Sequence, residues 1–140
     1  MKHLAEKLRR LEGVLSEEKG PFNLFALFLR EDAPDVSDLV VAAKWIEEDS
    51  PAALADISRR VRDSLGAEEI IKISRVVVVD RTDPSLKAVA SAMSLEHGIA
   101  EVANSTFFGL AICHAFIITA NLNPPPNKVL QRTAAAGGRR

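Results

Sequence analysis

Apolar positions along the chain fall into two periods. Leu4, Leu8, Leu11 and Leu15 recur at spacings of four, three and four, which places them on one stripe of a helix over residues 2–18. Glu6, Lys7, Arg9, Arg10, Glu12 and Glu17 fall mostly outside that stripe, and Gly20-Pro21 stops the helix. Phe22 to Leu29 is apolar on both alternating faces, the pattern of a strand central in its sheet. A short polar turn around Pro34 separates it from a second strand at Leu39 to Ala43, so the two form an antiparallel hairpin.

Helical spacing returns after Ser50-Pro51, read as a Ser cap followed by Pro in the first turn. Leu54, Ile57, Val61 and Leu65 form the inner stripe of this helix, and Gly66 is read as its C-terminal cap. A short helix is expected within 67–74. Val76 to Val79 is an unbroken β-branched run, read as a buried strand. Asp83-Pro84 opens another helix, with Leu86, Val89, Ala90 and Met93 inward and an end near Gly98. Ile99 to Ala103 and Ala111 to Thr119 complete the pattern as strands.

This order predicts an α+β fold: a mixed, mostly antiparallel sheet of about five strands. Helices are expected on one face, preceded by the amphipathic N-terminal helix. The organisation reads as residues 1–20 for that helix, 21–123 for one α+β domain, and 124–140 for a Pro-rich, low-complexity disordered tail.

The 140 residues carry 18 basic and 19 acidic side chains, and apolar residues make up 47%. That is ordinary for a globular domain and argues against a strongly basic nucleic-acid binder. The charge is unevenly spread. Residues 128–140 hold four of the basic groups and no acid, leaving 14 basic against 19 acidic before them. A single cysteine, Cys113, gives no internal disulfide and fits a reducing, cytoplasmic location. No stretch reaches the roughly 20 apolar residues of a membrane span, and the N-terminus lacks the apolar run of a secretory signal.

Candidate chemistry is sparse. Asp80 closes the valine strand, a place where a carboxylate can serve catalysis, but the spacing of paired carboxylates is broken by Thr82. Asp83 reads as a helix cap. His97 is placed at a helix end, where an imidazole can bond free carbonyls. Glu96 and Glu101 are near enough in sequence to orient it as an acid–base group. His114 shares an apolar strand face with Ile112, Phe116 and Ile118. Ligand spacing for a metal is absent, as are phosphate-binding, dinucleotide and nucleophile-elbow motifs, so no metal or cofactor is expected. Arg59, Arg60 and Arg62 read as a solvated helix face with Asp56 and Asp63 nearby.

Three functions are therefore weighed, the third, a nucleic-acid-associated accessory domain, resting only on the arginine cluster. The first is an interaction or self-associating accessory module, with Leu4, Leu8, Leu11 and Leu15 meeting a protein partner or a second copy. The second is a small-molecule enzyme using Asp80, His97 and His114. Neither membrane nor nucleic acid is expected as a partner.

Overall fold

The computed structural model describes residues 2–33 and 35–124. The tail expected over 124–140 lies, beyond Pro124, outside the described residues. The chain forms an α+β fold. Helix α1 (Lys2–Lys19) precedes the hairpin β1 (Leu24–Arg30) and β2 (Ser37–Ala42). Then come α2 (Lys44–Glu48), α3 (Ser50–Ser64), α4 (Ala67–Ile70), β3 (Ile73–Val78), α5 (Pro84–Ala92), β4 (Ala100–Phe107) and β5 (Leu110–Ala120). The sheet runs β3-β2-β1-β5-β4, so β1 is central as its doubly apolar sequence requires. Among the described residues only the β2–β3 pairing is parallel. A helical crossover between those two strands makes it so.

Each central strand divides its side chains between two cores. Phe25, Leu27, Leu39, Val41 and Phe116 face α1 and α3. Leu24, Ala26, Phe28, Val40 and Ile117 face the opposite way, where Leu86 and Val89 of α5 cover them. The helices thus lie on both faces rather than one. With both sides of β1 and β2 apolar, a single helical layer leaves half of that surface wet.

Several local expectations shift. Asp49, not Ser50, caps α3 by accepting from the Ala52 amide. Ser50 instead donates to the Ile46 carbonyl. Gly66 begins α4 rather than ending α3. The valine run of β3 is half-buried, because β3 is an edge strand with β2 as its one sheet neighbour. Asp83 does cap α5, accepting from the Ser85 amide. That helix ends at Ala92, so His97 lies in the following loop and not at a helix terminus.

Candidate functional site

The three polar residues singled out from the sequence are placed apart. Asp80 follows the edge strand β3, where its Oδ1 accepts from the amide and hydroxyl of Thr82. These bonds hold its carboxyl below the usual carboxylate range. Three strand spacings separate β3 from β5, about 14 Å. On β5, His114 pairs with Leu29, whereas the amide of His97 donates to Thr119 Oγ1, five residues further along. Five residues of strand rise about 16 Å. The structure does not bring Asp80, His97 and His114 into one site. His114 Nε2 lies 3.5 Å from Glu101, and its ring rests on Phe116. Glu96 is exposed.

His97 instead joins two residues that the sequence pattern had not offered. Glu12 on α1 is fully buried, with its Oε1 2.6 Å from His97 Nδ1. Its Oε2 accepts from the Thr119 hydroxyl at 2.7 Å. A β-bulge makes the arrangement. Phe25 pairs with Thr119 but Ala26 with Ile117, leaving Ile118 as the extra residue. The bulge turns Thr119 as well as Ile118 toward α1, where strict alternation sends one of them to each face. His97 adopts φ 54°, a backbone region costly for a residue with a side chain. One sign of Glu12 was present in the sequence: it stands four residues after Leu8, inside the helix's apolar arc. A second bulge, at Cys113, turns Ile112 to the α5 side, so His114 does not share its face.

A buried carboxylate against Nδ1 fixes an imidazole's orientation, as acid–base chemistry needs. None of four clefts found among the described residues, however, is lined by His97, His114 or Asp80. Nor do the described residues hold three or more His, Cys, Asp or Glu placed to bind a metal.

The leucine stripe of α1 is likewise spoken for. Leu4, Leu8, Leu11 and Leu15 are all buried, at 7% exposure or less, in the core that α1 and α3 form over the sheet. The cover they need comes from their own chain. What α1 offers outward is its other side. A groove of about 580 Å³ opens between α1 and α3. Its α1 wall is Lys7, Arg10, Leu11 and Val14, and its α3 wall is Arg59, Arg60, Asp63 and Ser64. The α1 set has offsets of three, four and seven, one face of a helix. Val14 is 48% exposed, a large apolar side chain left in the open.

Carboxylates from neighbouring elements meet these cations. Arg60 donates to both oxygens of Glu18, at 2.8 and 2.9 Å. Lys7 donates to Glu69 at 2.6 Å. Hydrogen bonds from Arg60 and Lys7 hold the Glu18 and Glu69 carboxyls below their ordinary range, and the Glu18 bonds raise Arg60. Arg59 pairs with Asp56 one turn before it. No known protein family, curated protein or solved structure matches the chain.

Proposed function

We propose that this chain is a protein-interaction module whose contact surface is the groove between α1 and α3. The carrying observation is the exposed Val14 beside Leu11 on the α1 wall, facing Arg59 and Arg60 on the α3 wall. Apolar surface rimmed by polar groups is the usual composition of an interface core and rim. The N-terminal helix thus remains the interaction element, through the face that carries Lys7, Arg10 and Val14, with Leu11 the one leucine of the inward stripe at its edge. The test is an NMR titration of the labelled full chain. It is titrated with itself, and with three amphipathic helical peptides that share one leucine face and carry Glu, Gln or Lys beside it. Shifts concentrated at Leu11, Val14, Arg59 and Ser64 support the reading. No shift with any titrant overturns it.

A second reading, a small-molecule enzyme, has one observation in its favour: the 2.6 Å contact that orients His97 against Glu12. On this reading His97 is the acid–base group, with Glu12 as its positioning carboxylate. A fragment screen by NMR tests it; ligands that move the His97 ring signals support it, and none doing so removes it.

A further inference from the structure

We infer that the chain forms a two-fold dimer by pairing the outer edge of β3 with β3 of a second copy, independently of the α1–α3 groove. Among the described residues β3 has β2 on one side and no strand on the other. The Val79 amide bonds to the Val41 carbonyl of β2. Backbone groups alternate in direction along a strand, so those of Val77 also turn to β2, and those of Val76 and Val78 turn outward. Val76, Val77, Val78 and Val79 are all half-exposed, and Ile71, just before the strand, is 72% exposed. Natural sheets blunt a free edge with charge, proline or a bulge. The other edge strand, β4, has such devices: Glu101 lies within it, and at Asn104, φ 50°, its pairing with β5 skips a residue. The four valines have none.

Outward backbone groups on an apolar edge call for another strand, and β3 is its own complement. An antiparallel copy centred on Val77 sets Val76 opposite Val78 in both directions. Outward groups then meet outward groups, and each such pair exchanges both its N–H and C=O bonds. Charge supports the same orientation. Lys72 and Arg75 precede the valines, and Asp80 and Asp83 follow them, while Arg81 is bonded to Glu47. Arg75 contacts Asp38, but Asp38 also has Arg30 beside it, and the Arg75 side chain stays 52% exposed. Asp80 is exposed, and both of its Thr82 bonds use Oδ1. Reversing the second strand lays each basic end along an acidic end, whereas like charges directly across would oppose pairing. The blunted β4 keeps the assembly a closed pair rather than a growing row of sheets. Residues 128–140 suit this edge less, since they have four basic groups and no carboxylate to set against Lys72 or Arg75.

The experiment combines sedimentation velocity of the full chain, from about 1 μM to about 1 mM, with amide hydrogen exchange read by NMR at both ends of that range. The mass is expected to rise from 15.2 kDa toward twice that value. Over the same range the Val76 and Val78 amides should slow about tenfold or more, while the Val79 amide, already bonded to β2, changes less. Val78→Pro removes one outward amide without touching the β2 ladder and should leave a monomer. Asp80→Lys sets a cation along the basic end and should weaken the dimer about fivefold or more. The exchange readout uses the unaltered chain, so it stands whether or not Val78→Pro folds. A chain that stays monomeric throughout overturns the inference, whatever else binds the edge. So does a dimer whose Val76 and Val78 amides exchange as fast as in the monomer, because it then forms through another face. Slow exchange of both amides in the monomer also overturns it, since the edge is then covered by the chain itself.

Discussion

Removing the Thr119 hydroxyl takes away the donor to one Glu12 oxygen in a place water does not reach. It also removes the acceptor of the His97 amide. Thr119→Val, nearly equal in volume, should therefore destabilise the fold by about 1–3 kcal/mol in urea titration. Glu12→Ala strands His97 and Thr119 together and opens space, so a larger loss, about 3–5 kcal/mol, is expected. The opposite sign is predicted one residue away. Gly13 lies inside α1, and a Cβ there meets nothing within 4 Å. Gly13→Ala should raise stability by about 1 kcal/mol, since the helix keeps its geometry and the unfolded chain loses freedom. A Gly13→Ala variant less stable than the parent would show that this part of the helix is packed more tightly than described.

At the scale of elements, α1 is a structural helix first and a surface second. Leu8 is fully buried between the sheet and its neighbours, and Leu8→Ala should cost about 2–5 kcal/mol. Val14, one and a half turns on, should tolerate Ala within about 0.5 kcal/mol, because it is half in water. Thermal or urea unfolding of the two variants side by side checks the contrast; equal losses would contradict the inward stripe. The helix was legible from leucine spacing because a period of 3.6 is a local property. The placement of β3 was not. Val76 to Val79 has the composition of a buried strand, yet an edge position depends on which strand its helical crossover returns to. Equally, periodicity puts Ile118 and Thr119 on opposite faces, and the bulge that turns both toward α1 is set by pairing with β1, nearly 100 residues earlier in the chain.

Across the whole molecule, surface ion pairs tie α1 to α3 and to α4, and they set an acid response. Glu6, Glu18, Glu69 and Asp80 all sit below their ordinary carboxyl range. Bonds from Arg9, Arg60 and Lys7 are the leading causes for the three glutamates, and the Thr82 amide for Asp80. Each folded value is lower than the unfolded one. The stabilisation is therefore present above the unfolded pKa and disappears as pH falls through the folded one. Melting temperature should hold near neutral pH and drop below about pH 4. Lys7→Met with Arg60→Met should lower the neutral value and shallow the drop. An unchanged acid profile in that double variant would mean that these pairs do not contribute.

The sequence by itself determined the class of fold, the hairpin, the caps at Asp83-Pro84 and the inward face of α1, because each follows from chemistry within a few neighbouring residues. It also fixed the unequal charge of the chain. Only the tertiary structure decided that α5 lies on the far face, that Glu12, His97 and Thr119 meet, and that Asp80 and His114 stay apart from them. Those are contacts between residues up to 107 positions apart. They depend on strand order, register and bulges, which are settled by burying two apolar faces of one sheet at once, and no local pattern encodes that choice.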